Sequence, residues 1–313
     1  MNQLNSKVAI LLATYNGERY LQDQLDSLIN QSFKDWVCYV HDDGSKDNTM
    51  SILRSYSKKY PKRFKILDYP GGQGAAGNFL SLIKFAANNC KENYFLFSDQ
   101  DDIWLPNKIE LEVNKMEEVY DDKTPILVYC DQKVVDQNLN IISNSSMNYS
   151  KKSHENDELH FLAFENNAPG CTMCVNRSLI RLSSKYTNVD NIVMHDWWVM
   201  LLAAVKGKIY YIDKSLMLYR QHGDNTLGAE QKSLLIKIKK YVSNFNSAMT
   251  NKSKHVKQCE RQLIELNNVL QDRNQTLKKI SNVCSRDSKL SKMKFFYKER
   301  YLSGNRIFTL FFV

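Results

Sequence analysis

Long apolar runs are missing from this 313-residue chain: no stretch reaches the ~18 residues that a membrane-spanning helix needs. The opening, MNQLNSKVAILLATYNG, also lacks the build of a secretory signal, because its apolar stretch is only VAILLAT and a turn follows at once. Both absences predict a cytoplasmic protein. Glycine and proline are scarce, at 11 and 5, and no repeat or long low-complexity tract occurs, which excludes collagen-like and disordered classes. No GxGxxG closes the first apolar run and no GxxxxGK[ST] occurs, which argues against dinucleotide and P-loop sites there. Cysteines number seven, an odd and scattered set that does not make a disulfide framework. The one close pair, Cys171 and Cys174, has no second pair to complete a zinc site, so both are expected to be small buried residues.

Acidic charge is scarce in the tail. Residues 229–313 hold 18 Lys and Arg against 6 Asp and Glu, a net of +12 in a chain whose total is +9, so residues 1–228 carry −3. A basic tail beside an acidic body suggests an anionic surface as its partner. The last segment, KLSKMKFFYKERYLSGNRIFTLFFV (289–313), interleaves Lys and Arg with aromatic and aliphatic residues, a pattern suited to lying on an anionic membrane without crossing it.

What is present is a rhythm. Short β-rich runs at 8–14, 36–42, 64–69, 93–99 and 125–131 alternate with amphipathic stretches. Tyr20, Leu21, Leu25, Leu28 and Ile29 share one helical face; Phe79, Leu82, Ile83 and Ala86 share another; Ile109, Val113 and Met116 share a third. Asn16, Asp47 and Asn78 are candidate N-caps, and Pro106 is placed in a first helical turn. Strand–helix alternation predicts a mainly parallel sheet with helices on both faces. The polar stretch 133–158 reads as a loop, two short strands are expected at KIYYID and SLMLYR, and residues 229–303 look helical.

In such sheets ligands bind beyond the carboxyl ends of the strands. ATYNGE (13–18), HDDGS (41–45) and SDQDD (98–102) all fall there. Gly17 makes a turn before a helix, where backbone amides can hold a nucleotide. Asp42 suits a base N–H or a ribose hydroxyl, and Asp47 suits a helix cap. GGQGAAG (71–77), four glycines in seven residues leading to Asn78, allows close approach of backbone to a phosphate or sugar. Asp99 and Asp101, two apart at the end of a buried run, can turn toward one point and offer oxygen ligands to Mg²⁺ or Mn²⁺. Asp102 suits a cap or a sugar contact. In MHDWW, Asp196 is either a cap or a carboxylate made basic by an apolar wall. Arg220 and His222 could reach anionic oxygens or a metal.

ATYNGERYLQDQLDSLINQSF, DDGSKDNT, FSDQDDIWLPNKI, GCTMCVNR, HDWW and YRQHGDN stand in the order found in family-2 glycosyltransferases, and residues 7–228 resemble the bacterial rhamnosyl-, glucosyl- and galactosyltransferases of O-antigen and capsule synthesis. The resemblance implies a GT-A fold: a mixed, mainly parallel sheet with helices on both faces. It implies a nucleotide-binding half at 1–131 and an acceptor-binding half at 132–228, followed by a basic helical extension at 229–313. Thr14, Tyr15, Asn16, Glu18 and Asp42 resemble the base and ribose pocket, with Gly77 and Asn78 also against the donor. Asp99-Gln100-Asp101 resembles the Asp-x-Asp motif, Asp99 near ribose and metal and Asp101 on the cation. Asp196 matches the catalytic base, preceded by His195 where many relatives carry Glu. His222 falls in a loop that closes over the diphosphate. The implied reaction is metal-assisted, inverting transfer of a hexose, from UDP-glucose or UDP-galactose or alternatively dTDP-rhamnose. Its acceptor would be an undecaprenyl-diphosphate-linked GlcNAc-type saccharide at the inner face of the bacterial inner membrane. A sugar-nucleotide nucleotidyltransferase would need a Gly-rich, Lys- or Arg-bearing early loop, which ATYNGERY does not match. A nucleic-acid binder would need its aromatics spread as a stacking platform, so no nucleic-acid partner is expected.

Overall fold

The computed structural model describes residues 8–69, 74–121, 123–222, 245–271 and 275–285. Strand β1 (Val8–Thr14) explains the layering by itself. All seven of its residues are buried, and the pleat sends alternate side chains to opposite faces. Ala9, Leu11 and Ala13 join one core, with α3 (Gly74–Asn89), α7 (Arg177–Ser183) and α8 (His195–Lys206). Val8, Ile10 and Leu12 join the other, with α1 (Leu21–Ile29), α2 (Thr49–Lys59) and α4 (Lys108–Val119). A strand with apolar residues on both faces belongs at the centre of a covered sheet.

The remaining strands are β2 (Trp36–Asp42), β3 (Phe64–Ile66), β4 (Tyr94–Ser98), β5 (Ile103–Trp104), β6 (Ile126–Val135), β7 (Ile141–Ser143), β8 (Met173–Asn176) and β9 (Lys208–Arg220). Their order is β3-β2-β1-β4-β8-β6-β9-β5, with β7 on β6. β3, β2, β1 and β4 pair in parallel. β8 runs antiparallel between β4 and β6, while β9 lies parallel to β6. The sheet is mixed, and the parallel part brings the ends of β1, β2 and β4 to one rim.

Several expectations change. Residues 133–158 do not form a plain loop: β6 continues to Val135, β7 returns against it, and α5 (Ser146–Ser150) follows. Asp131 anchors that return, its carboxylate accepting from the Ser145 hydroxyl and from the Ser146 and Met147 amides. The two strands expected after α8 are one, β9. Its register slips where Cys130 faces Ile212 but Asp131 faces Ser215, so Asp213 and Lys214 are extra residues in a bulge. Asn78 is no cap, lying buried inside α3, and Pro106 precedes α4, which starts at Lys108 after Asn107. Asn16 is a turn residue at φ 47°, and α1 begins only at Leu21. Asn48, not Asp47, holds the N-cap position of α2; Asp47 stands one residue before it and accepts the Thr49 amide at 3.0 Å. All seven cysteines are buried.

Of the tail, α9 (Phe245–Leu270) and α10 (Gln275–Ser285) are helical as expected, and Leu263, Leu266, Leu277 and Ile280 pack into the first core. Residues 223–244 and 286–313, which include the loop after His222 and the segment read as membrane-contacting, lie outside the described residues. No helix among the described residues is long and apolar enough to cross a membrane.

Candidate active site

A cavity of about 1240 Å³ opens where β1 and β4 end, beside the middle of β6, and is bounded by the first turns of α3 and α8. Thr14, Tyr15, Asn16, Asn78, Asp99 and Asp101 line it, as do Asp196 and His222, so most sequence-selected residues converge there. The β1 end is held rigidly. Gln100 clasps Tyr15, accepting from its amide at 2.8 Å and donating to its carbonyl at 2.9 Å. A Cβ on Gly17 would lie 2.3 Å from the Gln100 side-chain oxygen, so glycine is required for this clasp. Tyr15 remains 52% exposed at the mouth of the cavity.

Three chosen residues serve the frame and do not line the cavity. Asp42 accepts from the Thr14 and Ser45 hydroxyls and from the Gly44 and Ser45 amides, an Asx-turn that uses up its lone pairs. Its neighbour Asp43 lines the cavity instead, accepting the Gly74 amide at 2.8 Å. Glu18 is committed to Asn48, accepting from its amide and its side chain. Gly77 is buried inside α3. GQGAAG (72–77) spells GxGxxG, but Asp43 already meets the amide at the start of that helix. Asn78 lines the cavity while tying elements together, its side-chain oxygen 2.6 Å from His41 Nδ1.

At the β4 tip the carboxylates divide. Asp101 Oδ2 lies 2.8 Å from His222 Nε2, a pairing that sequence spacing does not reveal. The His222 ring rests against Tyr20, centroids 4.8 Å apart. Asp102 is buried, with Oδ1 accepting the Arg220 amide at 3.3 Å, so it neither caps a helix nor reaches a sugar. Asp99, Asp102 and Cys171 bring ligand-type atoms within 4.8 Å of one another. Burial, then the charges of Asp101 and Asp196, push the Asp99 carboxyl up to about 7. Arg220 does not face the cavity; its guanidinium binds Asp23, the Gln137 carbonyl and the Asp101 carbonyl, and covers Tyr20.

Asp196 sits in the first turn of α8 and is 8% exposed. Oδ1 accepts the Trp197 amide at 2.6 Å, and Oδ2 accepts the Gly170 amide at 3.1 Å. Burial pushes its carboxyl up to about 6, against the pull of those two amides. His195 lies beneath, stacked on Phe79 at 3.8 Å, with both ring nitrogens unpartnered and burial pushing its pKa down to about 3. A Cβ on Gly170 would meet His195 Nε2 at 2.4 Å. Glycine at 170 therefore lets the backbone approach Asp196 over a neutral imidazole.

Against known proteins, residues 9–177 match the family model described as "Glycosyl transferase family 2". The chain belongs to glycosyl transferase family 2. It is 33% identical over 226 residues to the dTDP-rhamnosyl transferase RfbG of Shigella flexneri, covering 70% of this chain and 74% of that one. It is 32% identical over 109 residues to the UDP-Glc:alpha-D-GlcNAc-diphosphoundecaprenol beta-1,3-glucosyltransferase WfgD of Escherichia coli, covering 35% and 40%. Among solved structures it resembles S. aureus TarS 1-349 in complex with UDP-GlcNAc, with TM-score 0.54, 15% identity, and 97% and 90% of the two chains covered. It also resembles the mannosyltransferase PcManGT from Pyrobaculum calidifontis in complex with GDP-Man and Mn²⁺, with TM-score 0.55, 11% identity, and 97% and 84% covered. The fold is GT-A and the protein is a glycosyltransferase.

Glycosyltransferases of this fold commonly use a divalent cation, and the glycosyltransferase's residues fit one. Asp99, Asp101 and His222 share the cavity wall at this acidic tip, with Asp101 Oδ2 2.8 Å from His222 Nε2. Carboxylate oxygens suit Mg²⁺ or Mn²⁺. Cys171 is a poor ligand for either, since burial pushes its thiol well up and keeps it protonated.

Proposed function

We propose that this glycosyltransferase moves a hexose, with inversion, from a pyrimidine nucleoside diphosphate to a hydroxyl of a lipid-diphosphate-linked saccharide in bacterial polysaccharide synthesis. The observation that carries this reading is Asp196: a buried, basic carboxylate facing the same cavity as the acidic tip of β4. Asp196 is equipped to take a proton, and the acidic tip of β4 to receive, with a cation, a charged leaving group.

In this mechanism Tyr15 stacks on the base, with Thr14, Asn16 and Asn78 against the nucleoside. Asp99 accepts from a ribose hydroxyl. Asp196 accepts the proton of the acceptor hydroxyl as its oxygen bonds to the anomeric carbon. The bond from that carbon to the diphosphate oxygen breaks on the opposite face, so configuration inverts. Placing the base contributes roughly 10²–10⁴-fold. Asp101 and His222, beside Asp99, would hold a Mg²⁺ or Mn²⁺, which would supply positive charge against the departing diphosphate.

The likeness to RfbG spans 226 residues and that to WfgD 109, so we place dTDP-rhamnose ahead of UDP-glucose as donor, reversing the order expected from sequence. The WfgD likeness supports a GlcNAc-diphosphate-lipid acceptor. The tail segment 289–313 would hold the enzyme against the inner face of the membrane that carries such an acceptor. Incubation with Mn²⁺ or Mg²⁺, a panel of dTDP- and UDP-sugars and a synthetic GlcNAc-diphosphate-lipid, with the product identified by mass and NMR, tests all of this. Transfer from dTDP-rhamnose supports the ordering; transfer from purine-linked sugars alone would overturn it.

A further inference from the structure

A second cavity of about 410 Å³ adjoins the first and shares Asp131, Met147 and Lys152 with it. The Lys152 ammonium is held at this shared wall by the Asn166 carbonyl at 2.6 Å. The bulge in β9 forms the outer side: the register slip pushes Asp213 and Lys214 out of the ladder, and both line this second cavity. Bulges beside active sites commonly re-aim side chains in this way. The floor is Tyr211, whose ring lies 5.1 Å from Tyr129 of the first cavity and 4.6 Å from His154 of the second. Rings thus run from one cavity into the other.

The chemistry separates two classes of occupant. Lys152 and Lys214 are matched by Asp131 and Asp213, so the formal charge of these four is zero. A phosphate would be drawn by unmatched cations. Mixed donors and acceptors around a ring face suit a neutral polyhydroxyl, whose hydroxyls both give and accept while its C–H face covers an aromatic. The volume is in the range of small-ligand sites.

We infer that this side cavity is a subsite for a second, neutral sugar of the acceptor, the one next to the sugar whose hydroxyl is glycosylated, so that the preferred acceptor carries at least two sugars before its diphosphate. The inference rests on the acceptor reading under Proposed function. The sugar lies on Tyr211, and Asp213 and Lys214 hold its hydroxyls.

The test compares synthetic diphosphate-lipid acceptors bearing one or two sugars, with the full-length enzyme. The two-sugar acceptor is expected to show a kcat/KM about tenfold higher, through KM, as for one added set of hydrogen bonds. In Asp213→Ala/Lys214→Ala, and separately in Tyr211→Ala, that ratio falls to about one, while calorimetry finds the dTDP and UDP affinities of wild type. A ratio near one in wild type, or an advantage that survives both variants, overturns the subsite. Competition by inorganic diphosphate that is lost in the double variant would assign the cavity to phosphate and likewise overturn it. If wild type binds nucleotide yet uses neither acceptor, the acceptor reading falls with the subsite; nucleotide binding with one-sugar transfer leaves that reading standing alone.

Discussion

Replacing Asp196 by asparagine should separate the cost of keeping a buried base from its use. Burial raises this carboxyl from 3.8 to about 6. A carboxyl with a raised folded-state pKa holds its proton longer when folded, so its contribution to stability is present at low pH and is lost as pH rises through the folded value. The full change is about 3 kcal/mol, from ~1.36 kcal/mol per pKa unit, and about 2 kcal/mol of it falls between pH 4.5 and 8. Asparagine mimics the protonated carboxyl in shape and offers one acceptor oxygen, so the loss of one amide hydrogen bond is common to both. Relative to wild type, Asp196→Asn should therefore gain about 2 kcal/mol on going from pH 4.5 to pH 8. Urea unfolding at a series of pH values measures this, and turnover at pH 8 should be lost in the same protein. The wild-type kcat/KM should rise with pH through about 6, because only the ionised form accepts a proton. A stability difference that stays flat with pH would refute the claim that this carboxylate is buried at a cost.

Gly170→Ala should lose ~1–3 kcal/mol by overpacking, since its Cβ meets a His195 ring already pressed on Phe79; urea midpoints and a reduced kcat check it. Gln100→Ala should release Tyr15, costing about 1–2 kcal/mol for two partly exposed hydrogen bonds; a raised donor KM with intact acceptor KM is the signature. Asp101→Ala and His222→Ala should each weaken Mn²⁺ binding by roughly tenfold or more in calorimetry, while folded content by circular dichroism stays native. Glu265→Ala should strand donors of Thr187, Asn188 and Asn191 at a cost of about 1–3 kcal/mol or more, and should lower kcat more than donor affinity.

The sheet and most of the cavity wall could be read from sequence because they follow local rules. Seven buried residues in β1 and the apolar faces of α1, α3 and α4 carry their own periodicity. What stayed hidden depends on which neighbour a side chain meets. Asp42 and Asp43 are adjacent and chemically identical; the turn at Gly44 ties up one and leaves the other on the cavity wall. Arg220 and His222 differ by two positions on one strand end, yet one is spent on Asp23 and the other reaches Asp101. Gln100 was invisible as the variable residue of its motif, although it fixes Tyr15 from 85 positions away. The bulge at Asp213 could have been suspected from two polar residues breaking an otherwise apolar pattern between KIYYI and SLMLYR.

The basic tail also divides into parts with different physical roles. Its helix α9 spends buried polar groups on the segment that leads into α8. Glu265 receives the Thr187 amide and hydroxyl, both at 2.6 Å, and Gln262 receives the Val193 amide at 2.8 Å. Both side chains are buried, and burial acts to raise the Glu265 carboxyl, but these donors outweigh it and hold it below the usual range. Two residues after Val193 comes His195, then Asp196, so the extension fixes the approach to the proposed base. His255 of the same helix stacks near Trp197 at 5.8 Å and reinforces that contact. A tail that served only to attract an anionic membrane would need no buried carboxylate aimed at the catalytic body. The charge and aromatics of 289–313 suit the proposed surface role, while α9 packs against the segment that carries the proposed base. Removing residues 289–313 and disrupting Glu265 should therefore be separable, the first acting on membrane-bound acceptor and the second on turnover with any acceptor.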